Sequence, residues 1–135
     1  MFLLEGVFLE NVIVEFIEDC LDADKIVGHS IYFDTSTVKA NVLRLISKAP
    51  FTFSEEYKQK VIEALDKTKR IDTMTKTTSF CGIPRATGKG VKYPKLTELF
   101  KKLFPEERFD THNALNDVLA TERCYFELVR LGVLE

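Results

Sequence analysis

Lys25-Ile26-Val27-Gly28-His29-Ser30-Ile31-Tyr32-Phe33-Asp34 is the stretch on which the fold class turns. Its first four residues are a short apolar run closed by glycine, suited to a buried strand. Asp34 then falls just past the C-terminal end of that strand, where open α/β sheets gather their ligand sites. The flanks read as helices. Upstream, apolar residues at positions 9, 12, 13, 16, 17, 20 and 21 trace an amphipathic stripe that stops near Asp22–Asp24. Downstream, the spacing predicts a helix from about Ser36 to Lys48, with Val38, Val42, Leu45 and Ala49 inward and Pro50 just beyond its end.

Further along, Ser54 is placed to cap a third helix, with Glu55 and Glu56 complementing the positive end of its dipole. Tyr57, Val61, Ala64 and Leu65 make its stripe. Arg70 to Met74 is a second short strand candidate. The segment Gly82 to Lys95 holds three Gly and two Pro and reads as a basic loop. Pro94 then starts a helix carrying Leu96, Leu99, Phe100, Leu103 and Phe104. A last helix is predicted from about Asn113 to Leu131, with Leu115, Val118, Leu119, Phe126 and Val129 among its apolar positions. Strands joined through helices pair in parallel, and parallel sheets need several strands covered on both faces. Two short strands offer these helices too little sheet. Either the fold is a helical assembly with incidental strands, or part of its sheet is absent from this chain.

The chain's 135 residues suffice for one domain with a sizeable core, and 45% of them are hydrophobic, eleven Phe included. Nineteen Lys and Arg against twenty-one Asp and Glu leave a net charge of −2, which excludes a wholesale basic coat for nucleic acid. The charge is uneven, however. Residues 1–24 carry seven acids and no base, whereas residues 76–102 carry seven bases (Lys76, Arg85, Lys89, Lys92, Lys95, Lys101, Lys102) and one acid, Glu98. Such asymmetry marks either a surface for a polyanion or two solvated faces. No apolar run is long enough to span a bilayer, and Met1 to Glu10 lacks the pattern of a signal peptide. Cys20, Cys81 and Cys124 are odd in number and widely spaced, as expected of reduced thiols in a cytoplasmic protein.

Two histidines are present, and each precedes an aspartate: His29 with Asp34, and His112 with Asp117 in His112-Asn113-Ala114-Leu115-Asn116-Asp117. Taken singly, each aspartate can be a helix-start residue favoured by the dipole. Taken together, the motifs resemble the DEDDh branch of the DnaQ-like 3′→5′ exonucleases, which include the epsilon proofreading subunit of bacterial DNA polymerase III and ribonuclease T. His112, Ala114 and Asp117 match that family's His-x-Ala-x-x-Asp motif. His29, Phe33 and Asp34 match its His-Asn-x-x-Phe-Asp motif, with Ser30 in place of the usual Asn. Ile71-Asp72-Thr73-Met74 and Tyr93-Pro94-Lys95-Leu96 also look like the family, and the likeness covers roughly Glu5 to Leu134. The family's Asp-x-Glu motif, on its first strand, has no counterpart on any strand candidate.

The resemblance implies a ribonuclease H-like α/β fold, a mixed sheet with helices on both faces, here lacking its first strands. It makes residues 1–135 a single exonuclease domain, of which this chain would be the C-terminal two-thirds. It implies metal-dependent hydrolysis at the 3′ end of single-stranded DNA or RNA, in proofreading or repair and alongside a DNA polymerase. Asp34 and Asp117 would be ligands to Mg²⁺ or Mn²⁺, and His112 the general base. His29, Ser30 and Phe33 would lie against substrate, while Arg85, Lys89, Lys92 and Lys95 would hold phosphates beside a stacking Tyr93. A chain short of two ligands can alternatively serve as a nucleic-acid-binding or interaction module. Apolar helix faces left without their sheet would favour self-association.

Overall fold

The computed structural model describes residues 3–4, 7–48, 54–65, 70–110 and 113–135. Its elements run β1 (Leu3–Leu4), β2 (Val7–Phe8), α1 (Leu9–Asp22), β3 (Ile26–Gly28), α2 (Ile31–Lys48), α3 (Glu55–Ala64), β4 (Arg70–Asp72), α4 (Thr73–Lys76), α5 (Thr78–Cys81), α6 (Leu96–Leu103) and α7 (Ala114–Arg130). β1 and β2 pair antiparallel, Leu3 opposite Phe8 and Leu4 opposite Val7, in a hairpin that the apolar pattern did not announce. β3 pairs with β4 in a two-stranded parallel sheet, so the chain is a helix-rich α/β protein. Among the described residues no helix is long and apolar enough to cross a membrane.

The chain divides into two compact units, Met1–Ile26 with Tyr32–Arg70, and Val27–Ile31 with Ile71–Glu135. In the first, the predicted stripes meet. Ile13, Ile17 and Cys20 of α1 pack with Val42 of α2 and with Val61, Ala64 and Leu65 at the end of α3. Val38, Leu45 and Tyr57 close over them, half-buried; Ala49 lies outside the described residues. Each such aliphatic side chain contributes roughly 1.5–3 kcal/mol of burial. Ser54 caps α3 as expected, its hydroxyl accepting from Tyr57 N at 3.3 Å, with Glu55 and Glu56 in the first turn. Arg70 donates to the buried Thr35 hydroxyl at 2.8 Å and lies 4.8 Å from the Tyr32 ring centre.

α2 starts at Ile31, five residues before the sequence spacing suggested. The hydroxyls of Ser36 and Thr37 do not open the helix. They bond back to the carbonyls of Tyr32 and Phe33, at 2.7 and 3.0 Å, as Ser and Thr do inside one. Asp34 therefore lies within the first turn of α2 rather than two residues ahead of the helix.

In the second unit, Leu99 and Phe100 of α6 pack against Ala120, Cys124 and Leu128 of α7. Phe104 and Phe109 extend the core, their ring centres 4.9 and 5.2 Å from that of Phe100. Arg123 lies over Phe104 at 4.2 Å and forms a two-pronged ion pair with Glu107, both contacts at 2.7 Å. α7 ends in a left-handed turn at Gly132 (φ +76°), where Val133 N bonds Leu128 O at 2.9 Å and Gly132 N bonds Val129 O at 3.0 Å. Val133 and Leu134 fold back onto the core.

The apolar positions expected along α7 lie on its outer face. Leu115, Val118, Leu119, Phe126 and Val129 are 61, 62, 47, 63 and 37% exposed, while the smaller Ala120 and Cys124 face α6 with Leu128. The large rings and branches come from α6, so its partner presents small residues that let the two backbones approach.

Candidate functional site

The turn after β3 is built from side chains of the second unit. His29 is held at both ring nitrogens: Nε2 lies 2.7 Å from Pro94 O and Nδ1 lies 3.0 Å from Thr73 Oγ1. A carbonyl only accepts, so the proton sits on Nε2, and Nδ1 accepts from the Thr73 hydroxyl. A longer contact of 3.3 Å, from that hydroxyl to Gly28 O, competes for the same proton. Burial lowers the His29 pKa below its ordinary value, against the opposing pull of the Pro94 carbonyl and Asp72. The imidazole is therefore neutral at neutral pH.

Ser30, next in the chain, has φ +71°. L-residues with a side chain seldom adopt that left-handed conformation; Asn is among the exceptions. Asp72 holds the turn in place. Its Oδ1 accepts from Ser30 N at 2.8 Å and from Met74 N at 2.9 Å, so one buried oxygen both clamps the turn and caps α4. Its Oδ2 is buried with no hydrogen-bond partner among the described residues. Asp72 and Thr73 are the positioning residues that the sequence reading passed over. An Asp directly before Thr-Met-Thr was a readable helix-start signal, hidden by extending the strand to Met74.

Phe33 is 71% exposed in the first turn of α2, beside Asp34, which is also exposed. Asp117 occupies the first turn of α7, where Asn113 caps the helix by accepting from Leu115 N at 2.8 Å. Its carboxylate has no hydrogen bond or ion pair among the described residues. His112 lies outside the described residues. Asp34 belongs to the first unit and Asp117 to the second. Among the described residues no group of three or more His, Cys, Asp and Glu is placed to hold a metal ion.

The basic segment folds as a tight hairpin, pinned by an antiparallel bridge between Pro84 and Val91. Arg85 stabilises it from within, Nε donating to Val91 O at 3.0 Å. Lys92 is held by Glu98 at 2.7 Å, and the same oxygen, Glu98 Oε1, accepts from Lys95 N at 2.8 Å at the start of α6. The Lys92 ammonium, with the Lys95 amide, holds the Glu98 carboxyl below the usual carboxylate range. Lys89 and Lys95 are exposed without an ion-pair partner among the described residues, and Tyr93 is 60% exposed. Arg85, Lys89 and Lys95 thus present positive charge without an ion-pair partner among the described residues, beside the exposed Tyr93 ring, while Lys92 is neutralised by Glu98.

Cys20, Cys81 and Cys124 form no disulfide. Burial pushes Cys124 up to about 12 and also raises Cys81, which leaves neither as a ready nucleophile. Comparison of the chain with protein-family models, with curated proteins and with solved structures finds no match among any of them.

Proposed function

We propose that the chain is part of a metal-dependent 3′→5′ exonuclease domain of the DnaQ-like kind, acting at the 3′ end of single-stranded DNA or RNA. The observation that carries this reading is that each motif aspartate stands in the first turn of its own helix. Asp34 stands in the first turn of the helix that follows β3, and Asp117 in the first turn of α7. The positive end of each helix dipole favours the ionised carboxylate that a hard cation needs. Under this reading β3 and β4 belong to a larger ribonuclease H-like sheet. Holding Mg²⁺ or Mn²⁺ then takes carboxylates beyond these two, the task the resemblance gives to an Asp-x-Glu strand. His112 would take a proton from the attacking water, and Lys89, Lys95 and Tyr93 would hold the strand.

The exposed hairpin also supports a second reading, a single-strand-binding module without hydrolysis. One experiment separates the two. A 5′-labelled single strand is incubated with Mn²⁺ and either this chain or the chain joined to an Asp-x-Glu strand segment. Both proteins should bind, and the joined protein should shorten the label from its 3′ end. Asp117→Asn should abolish shortening, and His112→Ala should slow it on the order of a hundredfold. A folded joined protein that binds without shortening leaves only the module reading. Shortening that survives Asp117→Asn overturns the assignment of the site.

A further inference from the structure

His29 spends both ring nitrogens inside the protein. Nε2–H donates to Pro94 O at 2.7 Å, and Nδ1 lies 3.0 Å from the Thr73 hydroxyl, which leaves neither nitrogen for a ligand. What the ring holds is the arm between the basic hairpin and α6, on which Tyr93 and Lys95 flank Pro94. The Pro94 side chain is fully buried, whereas Tyr93 and Lys95 are exposed, so the arm is seated at its middle and offers its two ends to solvent.

On one side of the arm Lys92 N bonds Ile83 O at 2.8 Å, and on the other Lys95 N bonds Glu98 Oε1 at 2.8 Å. Between them, the contact with His29 is the one hydrogen bond made by the backbone of Tyr93 and Pro94 among the described residues. The proline ring fixes its own φ, and Tyr93, as the residue before a proline, is confined to extended backbone. The ψ angle of Pro94 is therefore the soft angle between the Tyr93 ring and the Lys95 amide. The Pro94 carbonyl turns with that angle, and His29 holds the carbonyl.

We propose that His29 is a positioning residue for single-strand binding: through the Pro94 carbonyl it sets the spacing between a base stacked on Tyr93 and a phosphate held by Lys95. The ring itself touches no nucleotide. The inference rests on the strand-binding reading of the hairpin and is independent of hydrolysis.

The test measures binding of the full chain to a labelled oligo(dT) of about ten nucleotides by fluorescence anisotropy. In His29→Asn the side-chain amide takes the place of Nδ1, within reach of Thr73 but short of Pro94. In His29→Gln the amide takes the place of Nε2 and can donate to the carbonyl. His29→Asn should weaken binding about fivefold, and His29→Gln should restore it to within roughly twofold of the parent. The loss should pass through Tyr93, so His29→Asn should cost nothing further in a Tyr93→Ala background. Circular dichroism checks that each variant is folded. If His29→Asn does not fold, nitrogen NMR of the parent decides: Nε2–H of His29 should keep its hydrogen bond when the strand is added. Full binding by a folded His29→Asn, equal weakening in both His29 variants, additive losses with Tyr93→Ala, or a ring that changes partner on binding each overturns the proposal. A parent chain that binds no strand overturns the strand-binding reading, and this inference with it.

Discussion

Ser30, at φ +71°, donates its backbone N–H to Oδ1 of the buried Asp72 at 2.8 Å. A residue that disfavours its backbone conformation is kept there by a carboxylate forty-two positions away. The left-handed region costs an L-residue about 1–2 kcal/mol, less for Asn, whose side chain tolerates it. Ser30→Asn should therefore raise unfolding stability by roughly 0.5–1 kcal/mol. Asp72→Ala should lower it by about 1–3 kcal/mol, through two lost hydrogen bonds. Urea denaturation of the two variants checks both signs. An unchanged midpoint in Asp72→Ala would show that the clamp carries no weight.

His29 makes stability depend on pH. Its folded pKa lies below the ordinary 6.5, so as pH falls through that value the unfolded chain takes up the proton first. The contribution is complete above about pH 6.5 and is lost as pH falls toward the depressed folded value, with a slope of at most about 1.4 kcal/mol per unit. Thermal melts of the chain and of His29→Gln between neutral and mildly acidic pH should differ by that slope. A steeper loss in the variant than in the parent would reverse the sign and refute a neutral, buried imidazole.

Gly132 ends α7 in the left-handed region, and a Cβ there would meet no atom within 4 Å. The cost of Gly132→Ala is therefore conformational rather than steric, about 1 kcal/mol. Val133 and Leu134 reach the core through this turn, so hydrogen exchange at the end of α7 should quicken in the variant. Protection equal to the parent's would show that the turn is not what seats them.

On the hairpin, the four bases should contribute unequally to single-strand binding. Lys89→Ala and Lys95→Ala should each weaken binding and reduce the salt slope by about 0.7, the value for one phosphate contact on a single strand. Lys92→Ala should change it less, because Glu98 already neutralises that ammonium. Fluorescence anisotropy with a labelled oligonucleotide across several salt concentrations measures all three. Equal slopes would mean that phosphate displaces Glu98.

Local signals sufficed for much of this protein. The stripe from Leu9, the Ser54 cap, the apolar run ending at Gly28 and the Leu- and Phe-rich helix after Pro94 all formed where their spacing placed them. Each depends on residues within a few positions of one another. The start of α2 was misread because Ser36 and Thr37 suit both a cap and a helix interior, and only the backbone at Ser30 decides between them. Of the candidate site, the helix-start positions of Asp34 and Asp117 were legible, while the ion pair that occupies Lys92 was not.

What the sequence determined by itself is the helices α1, α3, α6 and α7, most of α2, the strands β3 and β4, and the two His-to-Asp motifs, but not the β1–β2 hairpin or the short α4 and α5. Capping and periodicity act over one or two turns, and the missed elements are only two to four residues long. Tertiary structure decided the rest. α7 carries apolar residues on two faces, and nothing within the helix ranks one above the other. Leu99 and Phe100 break the tie by packing on Ala120 and Cys124, which leaves the bulkier stripe outside. The same holds at the β3 turn. Thr73, Asp72 and Pro94 are distant in sequence from His29 and Ser30, and only folding brings their hydrogen-bonding groups within 3 Å.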